Sequence, residues 1–270
     1  MPTLEGAGVK IHRAFGFHDT ALTDPFLLLD DFRGDNPDDY LAGFPWHPHR
    51  GIETITYMLE GSVEHGDSMG NSGTIAAGDV QWMTAGSGII HQEMPIPAKS
   101  RKMGGFQLWA NLPAREKMCA PKYRGVIAKE IPAVKMKNGA IVKIICGSAE
   151  GVKGPVHDIT IQPEYLDVSV TADKTFERDF KDVITVIAYV FGGDGELCGE
   201  KVENRNLVIF SGEGGIEAKA GKKGMQFLLI SGMPLKEPVA WYGPIVMNTQ
   251  EELQAAFDEY ENGTFLKHSK

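Results

Sequence analysis

Little in this chain of 270 residues commits it to a membrane, to nucleic acid or to a disulfide scaffold. Its longest apolar run, Val183 to Phe191, spans nine residues and is interrupted by Thr185. A bilayer-crossing helix needs about 20 apolar residues. The first residues, MPTLEGAGVKIHRAFGFHD, lack a basic cap followed by an apolar core, so no secretory leader is expected. Cysteines number three (Cys119, Cys146 and Cys198), odd in count and widely spaced. That excludes a disulfide framework and a paired-cysteine zinc site, and makes the reducing cytoplasm the expected compartment. Basic residues are also short: 27 Lys and Arg stand against 36 Asp and Glu, for a net charge of −9, with no basic run of five or more. Nucleic-acid affinity comes mainly from clustered Lys and Arg neutralising phosphates, so no direct DNA or RNA contact is expected. The sequon Asn262-Gly263-Thr264 would matter only in a secreted protein.

What remains is ordinary globular composition, with 42% hydrophobic and 23% charged residues, 32 Gly and 15 Pro. At roughly 150 residues per domain the length suggests about two domains. Glycine and proline recur every 8–12 residues or so between β-branched and aromatic segments, the pattern of an all-β sandwich or barrel. Expected strands include Ile52–Leu59, Gly105–Asn111, Ala140–Cys146, Ile159–Ile161, Tyr165–Val170, Val183–Phe191, Asn206–Phe210 and Met225–Ser231. Turn signals separate them at Glu60-Gly61, Ala77-Gly78-Asp79, Gly192 to Gly195 and Gly212 to Gly215. The glycines at 192 to 195 lack the spacing of a phosphate-cradling loop and read as a hairpin. One helix is expected near the C-terminus. Thr249 can cap it, with Glu252 completing a capping box, Leu253, Ala256, Phe257 and Tyr260 forming its apolar stripe, and Gly263 stopping it. The proline-broken stretch Pro113 to Asn138 reads as a connector, dividing the chain near residues 1–134 and 135–270.

Chemistry-bearing residues concentrate in the first half. His47-Pro48-His49 precedes a strand, and with period-two alternation residues 47, 49, 51, 53 and 55 would share one face. Pro48 donates no ladder hydrogen bond, which places this piece at a strand start or edge. His91-Gln92-Glu93 repeats the alternation after the turn Gly86-Ser87-Gly88. On neighbouring strands, three imidazoles and one carboxylate would face a common volume, a donor set suited to a borderline divalent metal with coordination positions left open. Glu53 faces the same side on this reading and competes with Glu93 as the carboxylate, orients a ligand imidazole from behind, or is a cross-strand partner for Arg50 or a nearby Lys. His12, His18, His65, His157 and His268 have no such partner in sequence and read as surface or packing residues. Trp46, Trp82, Phe106 and Trp109 either line a pocket for a flat aromatic ligand or fill the core. Arg50 either holds an anion or forms a strand-edge salt bridge, and Met83 and Met94 fill gaps beside the site.

The stretches FPWHPHRGIETITYMLEG and GDVQWMTAGSGIIHQEMP, with DPFLLLDDF before them and GPIVMNTQEEL after, resemble the pirin family of the cupin superfamily. The resemblance spans nearly the whole chain. It implies two cupin-type double-stranded β-helix (jelly-roll) barrels face to face, with a short C-terminal helix. It also implies one metal ion in the N-terminal barrel, held by His47, His49, His91 and Glu93, and a C-terminal barrel without a ligand set. Fe(II) is the first expectation for the metal, with Mn, Ni, Cu, Co and Zn also compatible. Some bacterial pirins resemble quercetin 2,3-dioxygenases, which implies a flavonol-like aromatic substrate and O2, with Glu93 as catalytic base. The alternative the resemblance carries is a non-enzymatic, metal- or redox-responsive regulator that binds a protein partner. A monomer or weak dimer is expected.

Overall fold

The computed structural model describes residues 1–97, 100–180, 184–210 and 214–268. Tertiary contacts gather the chain into two compact units. The first comprises Met1–Thr20, Phe26–Ala128 and Lys236–Lys270; the second comprises Ala21–Pro25 and Lys129–Leu235. The first boundary lies close to the one expected at 134, but the last part of the chain packs with the first unit instead of the second. The physical reason is apolar burial. Val246 joins a core cluster with Leu27, Ile52, Met83, Ala85 and Ile89, and the C-terminal helix seats Leu253 and Ala256 against Ala240, Ile245, Met247 and Phe265.

Among the described residues eleven strands build the two larger sheets of the first unit: β1 (Pro2–Glu5), β2 (Val9–Phe15), β3 (Phe26–Asp31), β4 (Phe44–His49), β5 (Ile52–Glu60), β6 (Ser62–Asp67), β7 (Ser72–Ala76), β8 (Val80–Thr84), β9 (Ile89–Ile96), β10 (Gly104–Asn111) and β11 (Lys122–Val126). They form a seven-stranded antiparallel sheet in the order β1-β2-β3-β10-β5-β8-β11 and a four-stranded antiparallel sheet in the order β4-β9-β6-β7. Two apolar clusters tie the sheets together. One holds Val9 and Ile11 of β2, Met58 of β5, Val63 of β6 and Ile75 of β7. The other holds Leu27 of β3, Ile52 of β5, Met83 of β8 and Ile89 of β9. Alternation along β5 explains what lies between them. Its even positions run Ile52, Thr54, Thr56, Met58, from one cluster to the other through two buried threonines. The odd positions of β9 run from Ile89 through His91 to Glu93 in the same way. The interior of this unit is therefore a polar waist between two apolar ends.

The second unit is a β-structure of the same kind with an apolar interior. Its longest strand, Gly214–Gly232, pairs antiparallel with Thr175–Phe180 near its start and with Glu164–Val170 near its end. Thr185–Leu197 runs antiparallel alongside. Val142, Ile144, Leu166, Val168, Phe176, Ala188, Phe227 and Leu229 are among its fully buried side chains. Three sequence expectations need correction here. Ile159–Ile161 forms a turn, not a strand, because Asp158 and Gln162 on either side take positive φ (62° and 47°) and break the extended path. Gly192 to Gly195 is not a hairpin but a bulged stretch inside the strand Thr185–Leu197. Gly193 lies at φ 69°, where a Cβ would meet the Gly224 carbonyl oxygen at 2.0 Å. The supposed connector is shared between the units: β11 pairs with β8, and Ala133–Lys135 pairs with Ile141–Cys146. Val183 and the turn residues Gly212-Glu213 lie outside the described residues.

The C-terminal helix spans Gln250–Glu261 with both bonds of the expected capping box, Glu252 N–H to Thr249 Oγ1 and Thr249 N–H to Glu252 Oε2, each 3.1 Å. The segment before it is held by a buried lysine. Lys117 donates to the Gly51 carbonyl at 2.9 Å, to Asn111 Oδ1 at 2.7 Å and to the Val246 carbonyl at 3.0 Å, matching three oxygens to the three N–H bonds of its ammonium. Burial nevertheless pushes its pKa down from 10.5 to about 7. Lys117→Met leaves these oxygens without their donor, at a cost of about 1–3 kcal/mol. The expected drop in melting temperature is roughly 3–10 °C at this chain length, read by calorimetry. The pH dependence has a defined sign. From about 7 to 10.5 the unfolded chain holds a proton that folded Lys117 has released, so stability rises with pH across that window. The wild type should gain on Lys117→Met over that range and run parallel to it below; a wild type that loses ground instead would refute the lowered pKa.

Candidate metal centre

β4 and β5 are consecutive in sequence but belong to different sheets. The chain crosses between them at Arg50 and Gly51. Gly51 sits at φ 78°, and a Cβ there would lie 1.9 Å from the Val246 carbonyl oxygen, so the crossing requires glycine. It also ends the period-two alternation expected to run from His47 to Ile55. His47 and His49 face the interior. Thr56 lines the cavity described below, and Glu53, three residues earlier on the same strand, faces the opposite side. There it is buried and accepts a hydrogen bond from Thr84 Oγ1 at 2.8 Å. Glu53 therefore faces away from the imidazoles, whereas Glu93 lines the same cavity as His47 and His49.

β9 lies between β4 and β6 and sets the register. His91 pairs with His47 on one side and Asp67 on the other; Glu93 pairs with Phe44 and His65. His47, His49 and His91 come together, each offering a ligand atom within 4.8 Å of the others. Two of the rings are oriented by backbone carbonyls: His47 Nδ1 lies 2.8 Å from Pro45 O, and His49 Nδ1 lies 3.0 Å from Pro244 O. A carbonyl accepts only from N–H, so both Nδ1 atoms carry the proton and both Nε2 atoms present lone pairs. Those two Nε2 atoms stand 3.1 Å apart. Two lone pairs facing at that distance repel unless a cation lies between or beside them. His91 has both ring nitrogens buried with no hydrogen-bond partner among the described residues, an arrangement that costs free energy unless something fills it. Burial, then the neighbouring imidazoles, hold His49 and His91 well below the ordinary imidazole range, and burial lowers His47. The rings are therefore neutral at pH 7, the form that ligates a metal. The donor set fits a divalent cation.

Glu93 lies outside this group of three. Its Oε1 accepts from Thr56 Oγ1 at 2.9 Å and its Oε2 from Gln107 Nε2 at 3.1 Å. Burial raises its pKa, and the two hydrogen bonds pull it part of the way back.

A cavity of about 770 Å³ opens onto His47, His49 and Glu93. Trp46 and Trp109 are in its wall, as one reading of the sequence allowed, whereas Trp82 and Phe106 are core residues. From the C-terminal segment Trp241 completes an aromatic run, with ring centroids 5.5 Å from Phe17 to Trp241, 5.9 Å from Trp241 to Trp109 and 4.9 Å from Trp109 to His49. Arg50 is not in the cavity. It is buried, donates to the Ser87 and Phe265 carbonyls, pairs with Glu259 at 2.7 Å and stacks on Phe265. Met83 is core. Sequence reasoning missed several residues: Thr56 and Gln107, which hold Glu93; Trp241 and Pro244, about 150 residues or more distant in sequence from the histidines; and His65. The last is buried, stacked on Tyr123 at 5.1 Å, with its ring centroid 5.7 Å from His91 and Nε2 3.5 Å from Asp67 Oδ2. One signal could have found it: His65-Gly66-Asp67 has the same two-residue spacing as His91-Gln92-Glu93.

Comparison with known proteins agrees with this geometry. The family model for pirin matches residues 8–110, and that for the pirin C-terminal cupin domain matches residues 165–266. A pirin-like protein of Caulobacter vibrioides is 43% identical over 266 residues, covering 98% of this chain and 96% of its own. A Pseudomonas aeruginosa protein provisionally named a quercetin 2,3-dioxygenase is 40% identical over 269 residues, covering 97% and 94%. Among solved structures, quercetin 2,3-dioxygenase from Acinetobacter baumannii superposes with a TM-score of 0.90 at 32% identity, covering 98% of this chain and 94% of that one. With a cluster of three histidines in the first of two cupin domains, the chain belongs to the pirin family.

Proposed function

We propose that this chain is a metal-dependent dioxygenase that opens flavonols such as quercetin with O2, with His47, His49, His91 and Glu93 as the ligands of one Fe(II) ion. The observation that carries the reading is the pair of lone-pair-bearing Nε2 atoms 3.1 Å apart at the wall of an aromatic cavity. The similarity to a quercetin 2,3-dioxygenase over nearly the whole chain supports it. The same donors accept Mn, Ni, Cu, Co or Zn, and supply in the cell decides among them. When bound, the ion would supply Lewis acidity and a template for substrate and O2.

The protein's own residues do the rest. Trp46 and Trp109 hold a flat ring system and exclude water from the site. Glu93, raised by burial and kept in place by Thr56 and Gln107, takes the proton of the substrate's 3-hydroxyl as general base. Its position outside the tight group of imidazoles suits a carboxylate that ligates weakly and moves a proton.

Metal analysis of tag-free protein should find one equivalent in the wild type and none in His49→Ala or His91→Ala, whereas Glu93→Gln should keep part of it. In an oxygen electrode, iron-loaded wild type should consume O2 with quercetin, and Glu93→Gln should lower kcat by about 100-fold or more. Full turnover in Glu93→Gln would remove Glu93 from the base role. No uptake with any of the six metals would sink the dioxygenase reading in favour of a non-enzymatic, metal-responsive binding protein.

A further inference from the structure

The wall of the cavity carries a second polar group far from the imidazoles. Register places Arg13 of β2 opposite Asp30 of β3, Asp30 opposite Gln107 of β10, and Gln107 opposite Thr56 of β5. All four line the cavity, so they form one transverse polar row across the inner face of the seven-stranded sheet. At one end of the row Thr56 and Gln107 hold Glu93. At the other, Arg13 donates through Nε to Asp30 Oδ1 at 2.8 Å and through Nη2 to Asp30 Oδ2 at 2.7 Å, while Glu5 Oε1 lies 2.9 Å from Nη2. Neighbouring strands stand about 4.8 Å apart, so two strand spacings put Asp30 roughly 10 Å from Thr56. That is about the length of a flat molecule of two joined ring systems.

The charge of this far group says what it would accept. Asp30 and Glu5 already share the one guanidinium, so a carboxylated ligand finds no unclaimed cationic charge there. A hydroxyl is suited to the group because it donates to a carboxylate oxygen and accepts from a guanidinium N–H. Among the described residues Arg13 Nη1 has no hydrogen-bond partner, which leaves donors for such a hydroxyl.

We propose that Arg13 and Asp30, with Glu5 at the rim, form a second anchor that binds the hydroxyls of the substrate's remote aromatic ring. It makes the cavity selective for uncharged, polyhydroxylated flat aromatics. This rests on the preceding reading in one respect: the hydroxyl at the other end of the substrate lies at Glu93 and the imidazoles.

The test compares flavonols carrying no, one or two hydroxyls on the pendant ring. Binding to metal-free protein is read by quenching of tryptophan fluorescence, and KM is read on the iron-loaded protein. Wild-type affinity should rise with each hydroxyl, by at least about tenfold between none and two, as expected for hydrogen bonds to charged groups. Asp30→Asn, and Arg13→Lys, which keeps the charge but loses the planar fork, should flatten that series while binding the ring without hydroxyls as the wild type does. A merely structural Arg13–Asp30 pair would change stability and leave the discrimination intact. Equal wild-type affinity for all three flavonols, or discrimination unchanged in whichever variant folds, overturns the anchor. Failure of every flavonol to turn over with any of the six metals would overturn the dioxygenase reading instead, and the hydroxyl dependence of binding to metal-free protein would still decide the anchor.

Discussion

Withdrawing imidazoles and a carboxylate from water in the middle of the first barrel is the constraint around which the rest of the site is arranged. Burial in that polar waist keeps His49 and His91 neutral and makes Glu93 harder to ionise. Each buried polar atom then needs a partner, because an unmatched one is expensive. Carbonyls of Pro45 and Pro244 take the Nδ1 protons, and Thr56 and Gln107 take the Glu93 oxygens. The nitrogens without a protein partner are the ones a cation would fill.

The C-terminal segment is part of this arrangement. Pro244 orients His49, Trp241 extends the aromatic wall, and Val246 enters the core beside Ile52. Lys117 fixes the approach, holding the carbonyls of Gly51 and Val246 at the point where the chain crosses from one sheet to the other. The fold thus spends a buried lysine and a left-handed glycine on a crossing that faces His47 and His49 inward and Glu53 outward.

The two units show how one architecture serves two purposes. Along β5 and β9 the inward positions switch from apolar to polar and back, which opens a chemical site at the middle. In the second unit the inward positions stay apolar throughout, with Val142, Leu166, Ala188, Phe227 and Leu229 fully buried. Among the described residues the group able to share an ion is confined to the first unit.

Much of this was legible in the sequence alone. Glycine and proline spacing marked the β-rich chain, the capping box marked the helix, and the paired His-X-His and His-X-Glu steps marked three imidazoles and Glu93, since period-two alternation is a local property that survives without tertiary context. The outward facing of Glu53 was not local. It turned on a sheet crossing at Gly51 that breaks the alternation, and that crossing depends on the carbonyl of Val246, far downstream. The transverse row from Arg13 to Thr56 and the approach of His65 to His91 depend on strand order, which pairs segments distant in sequence. Short-range side-chain geometry is set by neighbouring residues, so the order of amino acids was enough to name the donors. Which of them meet, and what walls surround them, is set by register between strands, and that exists only once the chain has folded.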